Sequence, residues 1–426
     1  MNTEQLVKTL EQGGLDSRLC ALYGKEKLAA QRQRYAGAVA AFEALYGKRD
    51  VRLFSVPGRS ELSGNHTDHN HGCVVAASID LDIIAVAAKT DDGVVRVKSE
   101  GFPEDVVTLA DRQEPDPDRF AHSDALIAGM CRGFADRGFL TGGFVAYTTS
   151  SVLKGSGLSS SAAFEDMIGN IENHLYNDGR VDNVEIAKIA QYAENVFFGK
   201  PCGLMDQMAC GVGGIIAIDF ADPKSPVIDK IGFDLTAAGY ALCIVNTGGN
   251  HADLTADYAA VPAEMKAVAK EFGRSVLREV DEAALLAAIP ALREKVGDRA
   301  VLRALHFFAE NKRVAAQKEA LERGDLNAFF EGVIASGRSS FCYLQNVYTT
   351  KNVAEQGLSL ALCLAEAYLS DKPGAFRVHG GGFAGTVQVF LRQENVPGLV
   401  ALMDGVFGRG ATIPLSVRAE GAVAVL

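Results

Sequence analysis

The run Leu153-Lys154-Gly155-Ser156-Gly157-Leu158-Ser159-Ser160-Ser161-Ala162-Ala163 most constrains what this chain can fold into. Residues 143–149 before it read as a strand. Behind it Met167, Ile168, Ile171 and Leu175 recur at helical spacing as far as Asn177-Asp178-Gly179. A Gly/Ser loop between a strand and a helix gathers unpaired backbone N–H groups and the positive end of the helix dipole, and that attracts phosphate. Glycine lets the backbone approach an anion, and serine hydroxyls add donors or a magnesium ligand. A serine-capped turn that binds nothing fits the same residues equally well.

The surrounding chain is long enough, at 426 residues, for two domains and a large core. A net charge of −11 disfavours nucleic acid or an acidic membrane as partner, while leaving room for a local basic pocket. None of the eight cysteines forms a C-x-x-C pair, which reads as reduced thiols. No leader pattern opens the chain and no apolar run reaches spanning length, so the expectation is a cytoplasmic protein without a membrane partner.

Residues 1–48 are helical in pattern, and 51–56 read as a strand stopped by Pro57-Gly58. After a polar turn at 64–72 come three strand candidates, 73–77, 79–88 and 94–99, with Asp91-Asp92-Gly93 placed for a hairpin. A second helix begins at Asp182-x-x-Glu185 and runs through Phe197; 203–207 reads as irregular and 215–219 as a strand. Ala221-Asp222-Pro223-Lys224 is the best linker. Beyond it come a strand at 241–246, helices over 260–325 and 352–368, and strands at 376–378 and 386–391 flanking the glycines of 380–385. A helix at 396–408 and a strand at 415–426 close the chain. This irregular mixture predicts an α+β fold, divided into domains 1–221 and 222–426.

Asn65-His66-Thr67-Asp68-His69-Asn70-His71 could hold a metal, but the other histidines are scattered, and binding a polyhydroxy ligand ranks higher. Gly380-x-Gly382-x-x-Gly385 has the dinucleotide spacing but precedes a strand, which excludes that use. No P-loop and no protein-kinase motif set is present. Asp206 and Arg59 are a base candidate and a charge-stabilising candidate only if folding brings them to one cleft.

Together these segments resemble a family. Pro57-Gly58-Arg59 with Gly64-Asn65-His66-Thr67-Asp68 is similar to the galactokinase signature GRVNLIGEHTDYNxG. The opening run resembles P-x-G-x-G-L-S-S-S-A of the galacto-, homoserine, mevalonate and phosphomevalonate kinases. Pro201-Cys202-Gly203-Leu204-Met205-Asp206-Gln207 resembles MPCGIMDQ, and 380–385 resembles GxGFGG. The resemblance implies an α+β N-terminal domain, a ferredoxin-like C-terminal domain, an active site between them, and a monomer. It implies ATP-dependent phosphorylation of the anomeric hydroxyl of galactose or a close relative, with a small-molecule sugar, ATP and Mg2+ as ligands. By position, Asp206 would be the base and Arg59 its neighbour, while Asn65, His66, Asp68, Gly203 and Tyr258 would hold the sugar. Gly155, Ser156, Gly157, Ser159, Ser160 and Ser161 would cradle the phosphates, with Ser161 and Glu194 as magnesium ligands.

Several positions depart from the signature. Asn65 replaces its glutamate, His69 its tyrosine, and Ser60-Glu61-Leu62-Ser63 its VNLI; Leu153 replaces the second motif's proline. The arginines expected after Tyr258 are missing, 336–346 differs from SLRDDYEVS, and the N-terminus is extended. Asparagine at 65 removes a negative charge beside the sugar, so galacturonate or another modified galactose is an alternative substrate. A sugar- and ATP-binding sensor with little turnover is the alternative of another class, and a His-rich metallohydrolase is a third.

Overall fold

The structure, a computed structural model, describes residues 1–426 except Arg112, 154–156, Pro201 and 250–253. Helices α1 (Thr3–Glu11), α2 (Asp16–Tyr23) and α3 (Leu28–Tyr46) open the chain, followed by β1 (Arg52–Ser63), β2 (Cys73–Lys89), β3 (Val94–Ser99) and β4 (Glu104–Thr108). Next come α4 (Ser123–Asp136), β5 (Phe144–Ser150), α5 (Ser160–Tyr176), α6 (Asn183–Tyr192), α7 (Met205–Val212), β6 (Ile215–Asp219) and β7 (Val227–Ile231). The remainder is β8 (Tyr240–Asn246), α8 (Thr255–Glu271), α9 (Glu282–Val296), α10 (Asp298–Glu322), α11 (Leu326–Ser339), α12 (Gly357–Tyr368), β9 (Gly374–His379), β10 (Thr386–Arg392), α13 (Val396–Phe407), β11 (Thr412–Leu415) and β12 (Val423–Ala424).

The fold is α+β with two sheets. The larger is ordered β12-β1-β2-β5-β3-β4, with β6 and then β7 beside the first half of β2. The smaller, β11-β8-β10-β9, is antiparallel; its sequential strands stand in the order 4-1-3-2, as in the ferredoxin-like arrangement. The chain leaves the first sheet after Ile231, enters the second at Tyr240, and returns through β12.

Side-chain alternation decides how the first sheet is covered. Phe54, Val56, Ile83, Ala85, Phe144 and Ala146 face α4, α5 and α6. The intervening Leu53, Ile84, Val86, Ala88 and Val145 face the opposite way and pack on Leu6, Leu19, Tyr35, Val39 and Phe42. The N-terminal extension thus covers a sheet face that would otherwise meet water.

Four expectations need correction. Pro57-Gly58 does not stop β1; the strand continues to Ser63 through shifts of register against β2 between Pro57 and Arg59, where residues 79–81 of β2 stand opposite Gly58 and the ladder is interrupted, and again between Glu61 and Ser63. The candidates at 73–77 and 79–88 are one bent strand that pairs β6 with its first half and β5 with its second. Asp91-Asp92-Gly93 closes no hairpin, since β5 takes the β2 edge and lies parallel to β3. The expected strand at 415–426 is two short ones, β11 and β12.

At the bend of β2, Asp82 is fully buried and joins three parts of the chain. Arg34 Nη1 of α3 donates to Oδ1 at 2.5 Å, Arg418 Nη1 donates to Oδ2 at 3.2 Å, and Tyr23 and Ser55 donate to Oδ2. Burial pushes this carboxyl up, but the two guanidiniums outweigh it and hold it below the usual range. Asp82→Ala would strand both arginines, and urea unfolding should show a loss of about 3–5 kcal/mol. A loss below about 1 kcal/mol would mean that the cluster does not tie the extension to the sheet.

Candidate active site

The shift of register between Pro57 and Arg59, with its extra residues on β2, precedes Arg59 in β1. Gly58 runs so close to the Gly/Ser-loop backbone that a Cβ there would lie 2.6 Å from the Leu158 carbonyl oxygen. Arg59 N donates to that same oxygen at 3.1 Å. The Arg59 side chain reaches α7, where Nε and Nη2 each stand 2.8 Å from Asp206 Oδ1, while Nη1 donates to the Gly157 carbonyl. Asp206 was expected in an irregular stretch, yet it lies in the first turn of α7, where the helix dipole favours a carboxylate. Ser159, the N-cap of α5 at φ +59°, donates Oγ to Asp206 Oδ2 at 2.5 Å. Burial pushes the Asp206 carboxyl up; Arg59, Ser159 and Lys200 outweigh it and keep it below the ordinary value. The side chain remains about a third exposed (35%), against 7% for Arg59, so the carboxylate opens to solvent while its partner does not.

Around this pair stand the residues expected at a sugar. Asp68, in a 3₁₀ turn, lies against Gly203, where a Cβ would come within 1.9 Å of Asp68 Oδ2. Burial, Asp206 and Glu61 raise the Asp68 carboxyl to about 6. His66 Nε2 is 2.9 Å from the Gly381 carbonyl oxygen, and burial lowers its pKa. Tyr258 donates its hydroxyl to the Gly382 carbonyl at 2.8 Å and meets Phe383 edge-on. Asn65 differs from these in being fully buried, with both ends of its amide engaged by the protein. Helix α10 grips the same loop, since Glu310 accepts from Gly64 N and Asn65 N, and His306 Nε2 is 2.9 Å from the Asn65 carbonyl. The histidines take separate partners, and no three metal-ligating side chains among the described residues converge.

On the phosphate side, Gly155 and Ser156 lie outside the described residues. Gly157, Ser159, Ser160 and Ser161 lead into α5. Ser161 and Glu165 are one turn apart on its face. Gln207 Nε2 donates at 3.0 Å to both Glu165 Oε2 and Glu194 Oε2, and Lys200 Nζ donates to Glu194 Oε1 at 2.8 Å. Glu165 Oε1 and Gln207 Oε1 are buried and make no hydrogen bond in this structure. This hydroxyl and carboxylate set suits a hard cation such as Mg2+ that keeps part of its shell for water or phosphate. Opposite, Gly157 and the turn Gly381, Gly382 and Gly385 line a cavity of about 290 Å³ with Tyr258, Thr386 and His379. His379 is buried between Ser60 Oγ at 3.1 Å and Thr386 Oγ1 at 2.9 Å; burial, with Arg59 and Arg377, keeps its ring neutral.

Glu165, Gln207, Lys200 and His379 were not singled out from the sequence. The Ser161-to-Glu165 spacing and the adjacency of Gln207 to Asp206 were available signals, whereas His379 beside Gly157 had none.

The class is that of the GHMP kinases: the GHMP kinases N terminal domain matches residues 125–214, and the galactokinase galactose-binding signature matches residues 40–89. The galactokinase of Streptomyces coelicolor is 32% identical over 373 residues, covering 86% of this chain and 91% of that protein, and that of Homo sapiens is 30% identical over 399 residues, covering 91% and 95%. This chain belongs to the galactokinase family and is a sugar kinase. Its fold is that of Lactococcus lactis galactokinase complexed with galactose, at a TM-score of 0.76, 24% identity and coverage of 90% and 98%. Methanococcus jannaschii mevalonate kinase follows at 0.60 and 15%, with 86% and 98% covered. Among the described residues no helix is long and apolar enough to cross a membrane.

The raised Asp68 carboxyl has a consequence for stability. Its folded value of about 6 lies above the ordinary 3.8, so the folded state holds the extra proton and stability falls as pH rises between those values. Asp68→Asn should therefore raise the melting temperature at pH 7, and the gain should vanish below about pH 4. An equal gain at both pH values would contradict ionisation of the buried Asp68 carboxyl as its cause.

Proposed function

We propose that this chain transfers the γ-phosphoryl group of ATP to the C1 hydroxyl of galactose, giving the sugar 1-phosphate and ADP. Asp206 accepts the hydroxyl proton as the C1 oxygen bonds to phosphorus and the bond to the ADP oxygen breaks. Arg59 keeps Asp206 ionised and oriented and stabilises charge on the transferring group. His66, Asp68, Gly203 and Tyr258 border the sugar, and the loop through Gly155, Ser156, Gly157, Ser159, Ser160 and Ser161 receives the phosphates. Ser161 and Glu194 would hold Mg2+, whose charge offsets that of the phosphates when it is bound. The observation that carries this reading is the hydrogen-bonded set Arg59, Asp206 and Ser159, which joins the signature strand to the phosphate loop and to α7.

Charge around the site favours a neutral hexose. Asp68 is already raised, by burial first and then by Asp206 and Glu61, and a uronate would bring one more carboxylate to that group. The chain is proposed to divide between Ile231 and Tyr240, later than the expected 221 because β7 still pairs with β6 in the first sheet, and to act in the cytoplasm as a monomer.

A coupled ADP-release assay over galactose, glucose and galacturonate should show galactose turned over fastest. Asp206→Asn should lower kcat by about 10²–10⁴-fold. Wild-type protein as slow as Asp206→Asn on every sugar would make the chain a binding sensor, and galacturonate turned over faster than galactose would reassign the substrate.

A further inference from the structure

Glu61 stands where the galactokinase signature has its asparagine, and Asn65 stands where it has its glutamate. In the fold these two residues touch. Asn65 Nδ2 donates to Glu61 Oε1 at 3.2 Å and to the Gly380 carbonyl at 2.8 Å. Asn65 Oδ1 accepts from Asn346 Nδ2 at 2.8 Å and from Ser340 Oγ at 3.1 Å. Glu61 is in turn ion-paired with Arg377 of β9, which is fully buried and also donates to the Leu62 and Val378 carbonyls.

Only an amide meets these demands at 65, because it must donate to a carboxylate and to a carbonyl while accepting from two donors. A glutamate there would face Glu61 with both acids on one guanidinium, and the Gly380 carbonyl would lose its donor. Arg377, for its part, requires one carboxylate from this pair of positions, since an unpaired guanidinium at that depth is costly. One acid, one amide and one guanidinium satisfy the cluster, and the chain has exchanged the first two between positions 61 and 65.

We propose that Glu61 and Asn65 are a transposed pair, and that Asn65 is a positioning residue that ties the sugar-side loop to the glycine turn. The pair bridges the two sheets. With His66 and Asn346, which are bonded to the Gly381 carbonyl at 2.9 and 3.1 Å, Asn65 sets where that turn stands against Gly157. This deepens the kinase reading and rests on it for the nucleotide's place in the cleft. Its consequence for specificity is that the substitution at 65 leaves the charge of the cluster unchanged and so gives no preference for an acidic sugar.

The test is a double exchange. Asn65→Glu and Glu61→Asn should each lower the melting temperature and raise the KM for ATP, by about fivefold or more. The double variant Glu61→Asn/Asn65→Glu, which again has one acid for Arg377, should recover most of the melting temperature, while the KM for ATP stays raised because a glutamate at 65 cannot donate to the Gly380 carbonyl. A double variant whose losses equal the two single losses combined overturns the pairing. Recovery of KM along with the melting temperature overturns the positioning role. The thermal measurement needs no substrate, so it reads the pairing even if the hexose panel refutes the galactose assignment.

Discussion

The buried guanidinium of Arg59 holds three separate pieces of chain to one point. It meets the start of α7 through Asp206 and the phosphate loop through the Gly157 carbonyl, while its backbone joins β1 to Leu158. A charge at this depth is stable only when its donors are used and its counter-ion is well placed, so each of these contacts constrains the others. Remove the guanidinium and the largest opposition to burial's upward push on Asp206 is lost, which moves the carboxyl away from the ionised state a proton acceptor needs. Packing and electrostatics at the site are therefore a single constraint, met by the close approach of Gly58 to Leu158, the Ser159 hydroxyl and the first turn of α7.

Around that point the protein is built as two sheets held by buried polar clusters. Asp82 ties the N-terminal helices and the tail near Arg418 to the bend of β2, and Glu61 with Arg377 ties β1 to β9. The extension belongs to the same scheme. Its apolar side chains cover Leu53, Ile84 and Val86, which alternation turns away from α5. Stability of the catalytic sheet and placement of the cleft are thereby linked through β1 and β2, which carry both clusters.

Much of this was legible in the sequence because the informative residues are contiguous. The strand, Gly/Ser loop and helix around 153–163 form one local unit, and the motifs bearing Arg59, Asp68 and Asp206 are short runs read without knowing the fold. Local rules misled where a distant partner decided the outcome. Pro57-Gly58 is a stop signal in isolation but only a shift of register when β2 supplies the pairing, and Asp91-Asp92-Gly93 is a hairpin turn only if β5 does not claim the edge. Asp206 looked irregular because α7 begins without a side-chain cap. The environment of Asn65 was not legible at all: Ser340, Asn346, Gly380 and Arg377 lie hundreds of residues away and follow no spacing rule. A substitution that reads as a lost charge in the sequence is, in space, a charge moved back from the loop into β1.

The claim that Asp206, Arg59 and the phosphate loop together direct phosphoryl transfer to the anomeric oxygen is tested most directly by the product. Phosphorus NMR of the material formed from galactose, ATP and Mg2+ should show a phosphomonoester whose phosphorus couples to the sugar H1, accompanied by ADP. A phosphorus coupled instead to the protons on C6, or inorganic phosphate as the only new species, would contradict the geometry proposed for the cleft.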